Sequence, residues 1–159
     1  MREIKFRAWD KINKEFSNHT NRDPFMDLSM GDIFYWQRRQ NEDGVYEGDI
    51  ILKDENKNRF VLQQYTGLKD ANGKEIYEGD ILKIKEYDDE DEEFVKICEV
   101  KFGNSIFDGG FYAYIGFFLE DKYGYTLEPN EITSLTKCDG SYNFEVIGNI
   151  FENPELLKL

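Results

Sequence analysis

Six consecutive acids, Asp88, Asp89, Glu90, Asp91, Glu92 and Glu93, are the densest chemical feature of this sequence. Such a run can attract a cation, or the lysines and arginines of a basic partner. Its carboxylates also repel one another and bring no apolar surface to bury. The plain reading of residues 88–93 is therefore a solvated loop at the tip of two strands. As a calcium loop starting at Asp88, the run has acids at the first, third, fifth and twelfth places. Glu93 stands where glycine is needed, and no helices flank it, so an EF-hand is rejected. The softer ligands His19, Cys98 and Cys138 are scattered and supply no zinc-type set. Neither a metal nor a cofactor is expected.

Nucleophilic catalysis needs a base beside the nucleophile. His19 is the lone histidine and lies in a polar stretch, while Ser105, Ser134 and Ser141 have no motif around them. Asp108-Gly109-Gly110-Phe111 lacks the lysine and the following helix of a phosphate-cradling loop. Phe111, Tyr112, Tyr114, Phe117 and Phe118 could stack bases, as single-strand binders do. Strand parity sends half of them to a core instead, and no cationic groove accompanies them. No catalytic constellation emerges, and the expectation is a protein that is not an enzyme.

The pentapeptide Tyr-Glu-Gly-Asp-Ile occurs at 46–50 and again at 77–81. Two copies do not make a repeat architecture. They read as one strand-entry device used twice, in which Gly48 and Gly79 bend the backbone and Asp49 and Asp80 bond nearby amides.

Charge narrows the partners. With 33 acids against 20 basic residues the chain carries −13, and its 16% aromatic content is far too high for a disordered chain. Residues 77–159 hold 7 basic and 19 acidic side chains, −12 net, whereas residues 1–76 are near neutral. That field opposes a phosphate backbone, so nucleic acid is a disfavoured partner. No apolar run approaches the roughly 20 residues of a membrane span. The opening reads as a strand and not as a signal sequence, and two cysteines make no disulfide scaffold. A cytoplasmic location follows as the expectation.

The elements that must carry these residues read as strands. Ile4, Phe6 and Ala8 alternate with Lys5 and Arg7, a half-buried strand with its apolar side on the even positions. Glu15-Phe16 begins a return strand. Residues 33–38 read as strand, with a short helix as the alternative. Residues 45–53, 59–65, 82–87, 94–102, 111–119 and 142–151 read as further strands, separated by turns such as Asn41–Gly44 and Asn72-Gly73. Asn153 and Pro154 are the cap and first residue of a short C-terminal helix that docks through Leu156, Leu157 and Leu159. Strands with no crossover helix imply antiparallel pairing. The expected fold is mainly β: residues 1–66 as an N-terminal β-hairpin subdomain, and residues 67–159 as an SH3-like barrel bearing the acidic loop. Gly67, Gly73, Gly79, Asp80, Gly148 and Pro154 are its structural positions.

The segments MREIKFRAWDKINKEF (1–16), QYTGLKDANGKEIYEGDIL (64–82) and EVIGNIFENPELLK (145–158) together resemble the YopX family, small proteins encoded by phages and prophages of Gram-positive bacteria. The stretch 17–58 departs most from that pattern. The resemblance implies a mainly β fold in two small parts and a phage or prophage origin. It carries over no activity and no site residue. The functional expectation is a protein-interaction module that meets a basic partner through its acidic surface, nucleic-acid mimicry being a sub-case. The alternative is a nucleic-acid-binding small β-barrel.

Overall fold

The computed structural model describes residues 3–17, 25–27, 32–55, 59–87, 93–107, 112–127 and 144–158. Twelve strands are present among them: β1 (Phe6–Asp10), β2 (Glu15–Phe16), β3 (Phe25–Asp27), β4 (Asp32–Gln40), β5 (Tyr46–Lys53), β6 (Phe60–Lys69), β7 (Glu75–Tyr77), β8 (Asp80–Tyr87), β9 (Glu93–Phe107), β10 (Tyr112–Asp121), β11 (Thr126–Leu127) and β12 (Phe144–Asn149). Every pairing with a stated register is antiparallel. The sheets have strand orders β2-β1-β6-β7, β3-β4-β5 and β11-β10-β9-β8-β12. The mainly β class implied by the period-two segments is therefore what folds. Residues 33–38, ambiguous in sequence, belong to β4.

Packing divides the chain into two compact units, Arg7–Leu62 and Met1–Phe6 with Gln63–Leu159. The 66/67 subdomain boundary expected from sequence lies inside β6.

In the unit Arg7–Leu62, Asp10 organises the β1–β2 turn. Its Oδ1 accepts the Ile12 and Asn13 amides, and Arg59 donates Nε and Nη2 to its Oδ2. The guanidinium lies 4.1 Å from the Tyr35 ring centre and 4.9 Å from that of Phe60. Burial pushes the Asp10 carboxyl up, but the Arg59 hydrogen bond and the turn amides outweigh it and hold the group below its ordinary value. Ala8, Ile33 and Phe60 form the core here, with Tyr35 and Leu62 against them. One expectation is corrected. Ala8 is buried, but Ile4 on the same parity is 75% exposed and Phe6 is also exposed. Period two predicts a shared face; it does not predict that the face is covered along its whole length.

In the other unit, β8, β9 and β10 form a continuous antiparallel meander, and β12 returns against β8. Leu82, Ile84, Cys98, Val100, Leu119, Phe144 and Val146 share its inner face with Ile76. Opposite residues of an antiparallel ladder lie on one face. Among the described residues β11 and β12 are the outer strands of this sheet, consistent with a half-barrel. The C-terminal helix is a 3-10 turn, Pro154–Lys158, entered by a bond from the Leu156 amide to the Asn153 carbonyl. Leu156 and Leu157 are partly buried, as docking requires; Leu159 lies outside the described residues. No described helix is long and apolar enough to cross a membrane.

Candidate functional site

Glu93, the first residue of β9, is the one member of the acidic run among the described residues. Asp88, Asp89, Glu90, Asp91 and Glu92 lie outside them. Tyr87 pairs with Glu93, so these five acids join the ends of two paired strands. Glu93 is exposed and accepts a hydrogen bond of 2.8 Å from Lys85 Nζ, eight residues back on β8. That ion pair is too exposed to contribute more than about 1 kcal/mol.

The second Tyr-Glu-Gly-Asp-Ile copy builds a buried polar cluster. Residues 78 and 79 turn the chain between β7 and β8, with Gly79 at φ 75°. Asp80, 1% exposed, accepts the Tyr77 amide at 2.8 Å and Asn149 Nδ2 at 3.1 Å. Asn149 Nδ2 also donates to Gln63 Oε1, and its Oδ1 accepts the Phe151 amide. Gly79 donates its amide to the Val100 carbonyl and accepts that of Ile150. A Cβ at Gly79 would stand 2.2 Å from Gln63 Nε2, so any side chain there requires the buried Gln63 to shift. Buried polar groups bonded to this extent fix geometry.

The first copy does something else. Tyr46–Ile50 lies within β5, not ahead of it, and Gly48 sits opposite Arg39 next to an irregularity in the β4–β5 register. Gly48 has φ 136° and open space around it, and Glu47 pairs with Arg39 at 3.1 Å. The expectation of one device used twice is thus corrected. An identical pentapeptide makes a turn at 77–81, where Gln63 and Asn149 wait for it, and a strand at 46–50, where β4 does.

The other expected structural positions are occupied as follows. Gly67 has φ 92° inside β6, where the register to β7 shifts between Tyr65 and Lys69. Thr66 Oγ1 accepts the Leu68 amide there and donates to the Ile76 carbonyl. Gly73, at φ 81°, closes the turn that Asp70 caps. A Cβ at Gly148 would meet Leu156 Cδ1 at 2.7 Å and Asn153 Oδ1 at 2.8 Å. Pro154 opens the 3-10 helix.

Sequence reasoning missed three groups. Asp70, 6% exposed, accepts the Asn72 and Lys74 amides with Oδ1 and the Val146 amide with Oδ2. Lys5 Nζ lies 2.5 Å from Glu75 Oε2, which also accepts the Tyr77 hydroxyl. Glu75 holds Lys5 well above the ordinary lysine range, and Lys5 with Tyr77 pulls Glu75 below the ordinary carboxylate range. On the face of the sheet opposite Cys98 and Val100, Lys101 bonds Glu120 and lies 3.7 Å from Glu99. Burial raises both Glu78 and Glu99; Lys101 opposes the rise at Glu99, and Glu120 and Glu78 add to it. In sequence these groups are scattered acids among many.

Cys98 is buried in the core, while His19 and Cys138 lie outside the described residues. Among the described residues no three potential ligands cluster as a metal site. Phe118 is buried and Phe117 packs on the core at 5.0 Å from Phe102, which removes both from a stacking platform. Phe111 and the side chains of Tyr112 and Tyr114 lie outside the described residues. A cleft of about 520 Å³ remains, between Val95, Lys96 and Ile97 of β9 and Asp121, Lys122 and Tyr123.

A family model described as YopX protein matches residues 5–158. Among solved structures, the crystal structure of protein EF1440 from Enterococcus faecalis is similar: 31% identical, with a TM-score of 0.54 over 99% of each chain. No curated protein matches. The start of the first segment of the resemblance meets the second and third in the unit that holds Gln63–Leu159, while residues 7–16 belong to the other unit. Lys5 accepts the Tyr65 amide on its carbonyl, Asp80 holds Asn149, and Ile150 bonds Gly79.

Proposed function

The chain belongs to the YopX family, and from that premise we propose that it is a non-enzymatic protein-interaction module of phage or prophage origin, acting in the cytoplasm of the host cell through its acidic surface on a basic protein. The observation that supports this reading is the placement of charge. Residues 77–159 carry −12, and six acids in a row fall at the junction of β8 and β9. An acidic surface of this kind steers a basic partner toward it and competes with nucleic acid for that partner. The polar clusters around Asp80, Asp70 and Glu75 hold turns and strands in place, which suits a scaffold better than a catalyst. The alternative, a nucleic-acid-binding small β-barrel, is opposed by the same charge.

The test is capture from host lysate, followed by association rates for the recovered partner. Parent and the Asp89→Asn/Asp91→Asn/Glu93→Gln variant are compared at low and at physiological salt. The variant should associate more slowly, and the difference should shrink as the screening length falls to about 8 Å. Equal rates at low salt, or retention of the parent on immobilised polynucleotide, would defeat the proposal.

A further inference from the structure

Asn72-Gly73 is the one Asn-Gly pair in this sequence, and it lies in the turn between β6 and β7. Glycine carries no side chain to shield its amide nitrogen, so that nitrogen can reach the amide carbon of the preceding asparagine; this makes the pair thermolabile. The turn leaves the pair accessible. Asn72 is exposed, and its Nδ2 reaches Glu145 Oε1 only at a long 3.4 Å. A Cβ at Gly73 would meet nothing within 4 Å. The Gly73 amide donates to the Asp70 carbonyl at 2.9 Å, a bond at an exposed tip, and such bonds open locally while the core stays folded. Asp70 also fastens this turn to β12. Its Oδ1 accepts the Asn72 and Lys74 amides, both at 2.8 Å, and its Oδ2 accepts the Val146 amide at 3.0 Å. The Ala71 amide adds a bond to the Phe144 carbonyl.

We propose that Asn72 is a modification site: it deamidates in the folded chain, and the isoaspartate that forms releases the turn from β12. The co-reactant is water. The Gly73 nitrogen gives its proton to solvent and bonds to Asn72 Cγ; the Cγ–Nδ2 bond breaks and ammonia leaves, which closes a cyclic imide. Water then opens the ring at the Asn72 main-chain carbonyl. The chain now continues through the former side chain, and the former main-chain carbonyl becomes a carboxylate. Nothing is oxidised or reduced. The geometry sets the consequence. A methylene added to the main chain between residues 72 and 73 moves the Lys74 amide off Asp70 Oδ1. The turn also exchanges an amide donor facing Glu145 for a carboxylate, beside an Asp70 that is 6% exposed. Like charges so placed repel, and Lys83, opposite Glu145 on β8, offsets only part of that repulsion. With its bonds to the turn broken, Asp70 no longer holds the Val146 amide in place. This site goes beyond the acidic-surface reading and does not depend on it.

The full chain is aged in mildly alkaline buffer beside an Asn72→Gln variant, which keeps an amide but would need a larger, slower-forming ring. Digestion and mass spectrometry should place the change from amide to acid at Asn72 of the parent. An isoaspartyl methyltransferase should methylate the aged parent far more than the aged variant. Hydrogen exchange of the Val146 amide should then quicken about tenfold or more, while amides at the centre of β9 keep their protection. Asn72→Asp brings the charge without the added methylene and should keep most of the Val146 protection. Deamidation that occurs in urea and not in buffer would overturn the proposal, because the turn would then shield Asn72. So would conversion confined to other residues, Val146 protection unchanged after conversion, or an equal loss of that protection in Asn72→Asp.

Discussion

Asp80 shows what a single side chain contributes in this protein. Replacing it with Ala strands the Tyr77 amide and an Asn149 Nδ2 hydrogen in a region sealed from water. A buried donor without a partner costs about 1–3 kcal/mol, so Asp80→Ala should lower stability by roughly 2–4 kcal/mol in urea unfolding. The Asp80→Ala/Asn149→Ala double variant should fall short of the sum of the singles, because the two share one network. Full additivity would mean that the residues act separately. The glycines of the two identical pentapeptides divide on the same grounds. Both need a positive φ, but only at Gly79 would a Cβ collide with a buried side chain. Gly79→Ala should therefore add an overpacking cost of about 1–3 kcal/mol to the backbone strain, about 1–3 kcal/mol, that Gly48→Ala incurs alone. Equal losses would show that steric closure at Gly79 is relieved by Gln63 moving aside. The importance of Gly79 and Asp80 was legible in sequence as turn chemistry. Gln63 and Asn149 were not, since nothing local marks a polar residue whose partners lie 86 residues apart.

At the scale of the element, each strand follows from periodicity where its face is covered, and fails to follow where it is not. Cys98 and Val100 obey parity and are buried; Phe102, two residues on, is 49% exposed because β9 runs past the core. The last strand carries a close approach that parity does not reveal. Gly148 leaves room for Leu156 and Asn153, so Gly148→Val would drive the 3-10 helix from the sheet. A loss of roughly 1–3 kcal/mol is expected, and melting unchanged from the parent would show that the helix shifts freely. The face of β9 that carries Glu99 gives a pH dependence. Burial first, then the neighbouring Glu120 and Glu78, raises Glu99 above its ordinary 4.5, although Lys101 pulls the other way. A raised folded value means that ionisation opposes folding. The cost is complete above the folded value and absent below 4.5. Glu99→Gln should thus be more stable than the parent at about pH 7, with the gain fading by about pH 4. A variant less stable at neutral pH would mean that the Lys101–Glu99 contact outweighs burial.

For the whole molecule, the decisive quantity is the uneven distribution of charge. The excess of acids was legible from composition, and the antiparallel class from strands joined by turns with no crossover helix. The interlock of the opening, middle and closing segments was not, because it is made by long-range bonds such as Lys5 to Glu75. Repulsion and ion pairing make opposite predictions for added salt. With −13 net, and −12 of it in residues 77–159, like-charge repulsion raises the free energy of the folded state. Salt that shortens the screening length from about 30 Å to about 8 Å removes much of it. Ion pairs act the other way, but Lys85–Glu93 and Arg39–Glu47 are exposed and each is worth less than about 1 kcal/mol. Repulsion should win, so the urea midpoint should rise between low and physiological salt. The Asp89→Asn/Asp91→Asn/Glu93→Gln variant should be the more stable protein at low salt and indistinguishable from the parent at physiological salt, since it removes charge that screening would have hidden. A midpoint that falls with salt would reverse the ranking. It would place the stability of this chain in the partly buried pairs, Lys5–Glu75, Arg59–Asp10 and Lys101–Glu120, and would leave the acidic run as a feature whose self-repulsion the fold does not feel.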